Sequence, residues 1–187
     1  FMEELTRVSA TLGDVQTEVI MVNDGSSDNT LAVIRELAGR YDCVRYISFS
    51  RNFGKESAML AGFAAAKGDY VAVMDADLQD DVLVIEEMID KFHAGNDIVY
   101  GVRKERKTDT FFKRVTAQGF YKLMAVMGVK TVYNHADFRL MSKRAVEHFA
   151  QFQETNMYLR GMMPLIGYQT DSVYYDRKER VAGESKY

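Results

Sequence analysis

The sequence holds one cysteine, one proline and no tryptophan among its 187 residues. A single cysteine, Cys43, rules out an internal disulfide framework, and its place in an apolar run predicts a packed thiol. No uninterrupted apolar stretch approaches the ~20 residues of a membrane span. The opening residues carry no signal-peptide pattern. Nor is there a basic excess: 24 lysines and arginines face 27 aspartates and glutamates, a net charge of −3, which speaks against nucleic acid as a partner. What remains is a chain long enough for one domain with a substantial core, expected to be soluble and intracellular.

The central stretch is Tyr70-Val71-Ala72-Val73-Met74-Asp75-Ala76-Asp77-Leu78-Gln79-Asp80. An apolar run stops abruptly at a knot of carboxylates. The run predicts a strand buried on both faces, as in parallel sheets. Two aspartates one residue apart beyond it are costly to hold together unless a cation joins them.

Around this stretch the chain alternates. Phe1, Leu5, Val8 and Leu12 share one helix face. Glu18–Val22 reads as a buried strand, followed by the turn-rich Asn23-Asp24-Gly25-Ser26-Ser27-Asp28-Asn29-Thr30 and a helix carrying Leu31, Ile34 and Leu37. Cys43–Phe49 reads as a strand, Glu56–Lys67 as a helix closed by Gly68, Val82–His93 as a helix and Asp97–Tyr100 as a strand. Alternating helices and strands imply a parallel sheet with right-handed crossovers. Beyond Gly101 a charged loop leads to an aromatic and methionine-rich helix over Phe111–Met127. That helix suits either the core or, with Lys113, Arg114 and Lys122 alongside, a membrane surface. Asn134–Met141 reads as a loop or short strand, Lys143–Phe149 and Asn156–Met163 as helices, and Tyr168–Tyr175 as a last strand before a polar tail.

Asp24, Asp75 and Asp77 each follow a predicted strand, so a parallel sheet would gather them along one edge, where open α/β sheets bind ligands. Turn and cap roles compete with this reading at each aspartate. Hard oxygen donors suit Mg²⁺ or Mn²⁺, with water and substrate phosphate completing the shell, and Gln79 can add a neutral oxygen. Basic residues recur where a phosphate site would want them: Lys55 in a glycine loop, Arg103, Arg114, and Arg177, Arg180 and Lys186 in the tail. Asp137 sits in an apolar setting, where a buried carboxylate needs a partner such as Arg139 or His135. That pairing competes with a role as catalytic base.

Five segments stand together: Val22–Thr30, Arg51-Asn52-Phe53-Gly54-Lys55, Asp75–Asp80, Asp137-Phe138-Arg139-Leu140-Met141 and Arg180–Tyr187. In this order they resemble the family 2 glycosyltransferases, and most of all the polyprenyl-phosphate branch. The resemblance runs from the first strand to the last residue. It implies a GT-A (Rossmann-like) nucleotide-diphospho-sugar transferase fold, with a mostly parallel central sheet flanked by helices, as one catalytic domain over residues 1–187. It implies a nucleotide-diphospho-sugar donor, a polyprenyl-phosphate acceptor, a divalent cation and inverting displacement. Asp24, with Val22 beside it, would meet the nucleobase, and Asp75 and Ala76 the nucleoside and diphosphate. Asp77 and Gln79 would hold the metal. Arg103 and Arg114 would receive the lipid phosphate, and Arg180 and Lys186 would close over the donor.

A phosphate acceptor, largely ionised with a second pKa near ~6, needs alignment more than a base. A sugar hydroxyl needs one, and Asp137 is the candidate. The family's first strand and its Pro-x-Tyr-Asn-Glu loop have no counterpart here, and Asn23 stands where many members have aspartate. The expectation is an excerpt of a longer enzyme, attached to the cytoplasmic face of the membrane by other segments, with homo-oligomerisation left open. The alternatives are a transferase acting on a saccharide hydroxyl and a non-catalytic nucleotide-sugar-binding module.

Overall fold

The computed structural model describes residues 2–77, 79–104, 135–152 and 159–176. The elements follow in the order α1 (Met2–Thr11), β1 (Val19–Asn23), α2 (Thr30–Arg40), β2 (Val44–Ser48), α3 (Lys55–Ala65), β3 (Tyr70–Val73), α4 (Val84–His93) and β4 (Ile98–Arg103). After them come β5 (His135–Ser142), α5 (Lys143–Phe149), α6 (Leu159–Met162) running into a 3-10 turn (Met163–Ile166), and β6 (Thr170–Tyr175).

Local sequence accounts for most of these elements. In α4, Ile85, Met88 and Ile89 recur at helical spacing and are buried. Glu86 and Glu87 sit in its first turn and Lys91 and His93 in its last, each complementing the helix dipole. Ser142 caps α5 by accepting a hydrogen bond from the Ala145 amide at 3.2 Å. Cys43, expected to be packed, is exposed, because β2 starts one residue later and turns only Val44 inward.

The sheet departs from a simple parallel alternation. β1 and β2 pair in parallel as one two-stranded unit, and β3-β5-β4-β6 form a second unit. Residues 135–142, read from the sequence as a loop or short strand over Asn134–Met141, form an eight-residue strand, and β5 lies antiparallel between β3 and β4. Within the four-stranded unit β3, β4 and β6 therefore run one way and β5 the other. The strand buried on both faces is β4, flanked by β5 and β6. β3 is only partly buried and leaves Ala72 exposed, since among the described residues it pairs with β5 alone.

Period-2 alternation along these strands separates two cores. Val99, Phe138, Leu140, Val173 and Tyr175 pack with Ile85, Met88 and Ile89 of α4 and Val8 of α1. Ile98, Tyr100, Val102 and Met141 face Phe63 of α3, Ala145, Val146 and Phe149 of α5, and Leu159 and Met163. Gly101 lies where the sheet is tightest: a Cβ there would come within 2.9 Å of the Phe138 ring.

Asp97 ties β4 to the start of α5. Its carboxylate accepts hydrogen bonds from Ser142 Oγ at 2.8 Å and from Nε and Nη2 of Arg144. The Arg144 guanidinium holds the Asp97 carboxyl below the usual carboxylate range, against the opposing pull of burial. A group with a depressed folded-state pKa contributes stability that is complete above its unfolded value and lost as pH falls through the folded one. Asp97→Asn is therefore expected to destabilise the chain at neutral pH and to flatten the loss of stability below about pH 4. Urea titrations of both proteins at several acidic pH values check this; parallel pH profiles would contradict it.

Candidate active site

Two loops at strand ends, after β1 and after β3, build the site together with β5, and the segment before α3 joins them. The first loop follows β1. Asn23 is buried, donates to Ser48 Oγ at 3.1 Å, and accepts the Ser26 amide at 3.1 Å, which folds the loop back on its own first residue. Gly25 has φ +66, and a Cβ on it would lie 2.2 Å from the carbonyl carbon of Arg51. Only glycine lets the loop approach the backbone of Arg51 and Asn52 this closely.

The joining segment is Arg51–Lys55. Asp24 Oδ1 accepts the Phe53 amide at 2.7 Å and Oδ2 accepts the Gly54 amide at 2.9 Å. The second residue of the Asn-Asp-Gly motif thus holds the segment that starts α3. Gly54, at φ +97, turns the chain into that helix. Lys55, its first residue, reaches across to the other sheet unit. Its Nζ lies 2.7 Å from Asp75 Oδ1 and 2.8 Å from Asp137 Oδ2. Burial acts to lower the Lys55 pKa, and hydrogen bonds to Asp137 and Asp75 more than offset it, so the amine is held as ammonium.

Asp137 is gripped from a second side. Arg139, two residues along β5 and fully buried, donates from Nη2 to Asp137 Oδ1 at 3.1 Å and from Nε to the Asp137 carbonyl at 2.9 Å. Its Nη1 lies 3.2 Å from Met163 Sδ. A buried guanidinium demands such partners, because a charge left unpaired in the interior is strongly unfavourable.

The acidic loop follows β3. Asp77 Oδ1 accepts the Gln79 amide at 3.1 Å, an Asx turn that puts both residues on one short bend. Asp80 is buried and anchors the loop: it accepts from the Tyr175 hydroxyl at 2.5 Å and from Arg103 Nη2 at 3.1 Å. Burial first, then the hydrogen bond to Asp80, raises the Tyr175 hydroxyl far above its ordinary range, so it remains a donor. The ends of β4 and β6 are thereby pinned to the acidic loop. Asp77 and Gln79 offer only oxygen donors, a set that fits Mg²⁺ or Mn²⁺ completed by water and phosphate oxygens.

The family model described as "Glycosyl transferase family 2" matches residues 5–149. The chain belongs to glycosyl transferase family 2. It is 50% identical over 173 residues to "Uncharacterized glycosyltransferase YkoT" of Bacillus subtilis, covering 91% of this chain and 51% of that protein. It is 45% identical over 173 residues to the "Bactoprenol glucosyl transferase" of Shigella phage SfV, covering 92% of this chain and 56% of the relative. The chain therefore spans about half the length of the curated relatives it matches. Among solved structures it is similar to the mannosyltransferase PcManGT from Pyrobaculum calidifontis, a structure in complex with GDP-Man and Mn²⁺. There the TM-score is 0.62 at 18% identity, over 92% of this chain and 50% of the other. The fold is GT-A, as expected.

Within this family 2 chain the expected site residues fall into three groups. Asp75 and Asp137 meet through Lys55, and Asp24 joins them through the backbone that positions Lys55. Asp77 and Gln79 share the bend beyond, with Ala76 exposed beside them. Val22 packs behind, 3.6 Å from where a Cβ on Gly62 would lie. Arg103 is set apart from the Lys55 cluster, against Asp80 and Tyr175. Arg114, Arg180 and Lys186 lie outside the described residues, as does the helix expected over 111–127. The aspartates are gathered by the Arg51–Lys55 segment, since β1 and β3 belong to separate hydrogen-bonded units.

Sequence reasoning missed Asp80 and Tyr175 as a pair. Asp80 was one more carboxylate in an acidic run, and Tyr175 simply ended a strand; neither carried a signal of its own. Lys55 did, standing after a glycine at a helix start, yet its two partners could not be named.

Proposed function

We propose that this chain is the catalytic domain of a hexosyltransferase that moves a sugar from a nucleotide-diphospho-sugar to a polyprenyl phosphate, with inversion, at the cytoplasmic face of the membrane. The observation that carries the choice of acceptor is Asp137: Oδ1 accepts from Arg139 and Oδ2 from Lys55. A carboxylate with both oxygens engaged by cations is poorly placed to take a proton from a sugar hydroxyl. An acceptor that arrives already ionised needs no such base. It needs orientation and cations near its path, which fits Arg103 at the rim of the acidic loop. The relative named as a bactoprenol glucosyl transferase supports the same reading.

In this scheme Asp24 and Val22 lie on the nucleobase side, Asp75 and Ala76 on the nucleoside and diphosphate side, and Asp77 with Gln79 at the metal. Arg103 and Arg114 guide the lipid phosphate, and Arg180 and Lys186 complete the donor pocket. A bound Mg²⁺ or Mn²⁺ would supply Lewis-acid neutralisation of the departing diphosphate. Among the described residues no helix is long and apolar enough to cross a membrane.

The test uses membranes carrying the full-length natural protein, supplied with labelled nucleotide sugars and polyprenyl phosphate. Label is expected to enter the organic phase as acid-labile material. Label appearing in water-soluble glycan would overturn the acceptor assignment, and donor binding without transfer would overturn the enzyme itself.

A further inference from the structure

The register of β3 against β5 creates an electrostatic problem that one side chain answers. Val73, the last residue of β3, stands opposite Arg139, and just beyond this pair Asp75 and Asp137 converge on one point. Like charges facing each other across strands repel. Both carboxylates lie within hydrogen-bond reach of a single ammonium, that of Lys55. The ammonium belongs to neither strand. It projects from the first residue of α3, whose preceding amides are fixed by Asp24 in the loop after β1. The cation between the two carboxylates is thus placed by the loop after β1, and the two sheet units meet at this group.

We propose that Lys55 is a positioning residue for the transfer reaction: a tethered cation that holds Asp75 and Asp137 in one fixed geometry and keeps free divalent ions from bridging them. Two opposed carboxylates converging within about 3 Å of one point form a locus for a hard cation once the ammonium is gone. With Lys55 in place that locus is filled at no cost in bound metal, and divalent ions are left to the oxygen donors of the acidic bend. The half-exposed side chain at a helix N-terminus makes its removal compatible with folding. The kinetic side of this inference rests on the reaction proposed above; the metal-binding side does not.

The experiment compares full-length wild type, Lys55→Met and Lys55→Arg. Mn²⁺ affinity is measured without nucleotide by the electron paramagnetic resonance signal of free Mn²⁺, and kcat and donor KM are measured for transfer. Lys55→Met is expected to bind Mn²⁺ at least about 10-fold more tightly than wild type, since Asp75 and Asp137 lose the ammonium between them while Arg139 still occupies only Oδ1 of Asp137. Its kcat is expected to fall about 100-fold with donor KM changed far less, the signature of misplaced groups rather than lost binding. Lys55→Arg is expected to return both quantities toward wild type. Unchanged Mn²⁺ affinity in Lys55→Met, or an arginine variant no better than methionine, would overturn the proposal. Failure of the wild type to transfer label would overturn the reaction while leaving the Mn²⁺ result to decide the role of Lys55.

Discussion

Asp77→Asn is expected to lower metal-dependent transfer by about 10²–10³-fold, the scale on which single groups stabilising transition-state charge act. The substitution isolates charge from shape. Asp77 Oδ1 accepts the Gln79 amide, and asparagine keeps an oxygen in that position, so the bend survives. What disappears is one negative charge from an oxygen-only donor pair, and with it much of the attraction for a hard divalent cation. Because the change lies in a partly exposed loop, the thermal midpoint is expected to move by no more than about 2 °C. Initial rates across a Mn²⁺ series, with thermal unfolding in parallel, test both halves. A variant keeping most of its activity would remove Asp77 from the metal site.

The largest effect on stability is expected at Asp80. This carboxylate is 2% exposed and accepts from both Arg103 and Tyr175. In Asp80→Ala the half-buried Arg103 guanidinium loses its ion pair with Asp80 and the Tyr175 hydroxyl its acceptor. Breaking a buried pair from one side costs about 3–5 kcal/mol, because the remaining charge stays where it was. At this chain length that corresponds to a thermal midpoint lower by roughly 6–20 °C. Tyr175→Phe removes only a neutral donor and is expected to cost about 1 kcal/mol. Denaturant unfolding of the two variants distinguishes a network centred on the carboxylate from one centred on the hydroxyl. An Asp80→Ala variant as stable as Tyr175→Phe would show that the ion pair contributes nothing beyond the hydrogen bond.

Much of the fold was legible because it is local. Helical spacing of Ile85, Met88 and Ile89, the capping Ser142 and the apolar run at Tyr70 each act over a few residues. The acidic bend was legible for the same reason: two aspartates after a strand are costly wherever they occur. β5 was harder. His-Ala-Asp-Phe-Arg-Leu-Met-Ser places a carboxylate and a guanidinium inside a strand, a pattern that reads as a loop or a short strand. It becomes a strand because Asp137 and Arg139 satisfy each other while Phe138 and Leu140 fill the opposite face. The packed thiol expected at Cys43 failed by a single residue: Cys43 lies in the turn before β2, and the first strand residue, Val44, is the one buried.

By itself the sequence determined the order of helices and strands, the family, and the acidic bend where chemistry was to be sought. All of these follow from residues close together along the chain. The tertiary structure alone decided that Lys55 sits between Asp75 and Asp137, that Asp24 anchors the segment carrying it, and that Asp80 meets Tyr175 across 95 residues of sequence. The physical reason is register. A carboxylate's partner depends on which strand lies beside it and at what offset, and the insertion of β5 between β3 and β4 sets Arg139 opposite Val73, next to the point where Lys55 meets both Asp75 and Asp137. Periodicity contains nothing about that offset. The opening knot of carboxylates is thus one side of a site whose counter-charges arrive from a distant helix start and from the ends of two other strands.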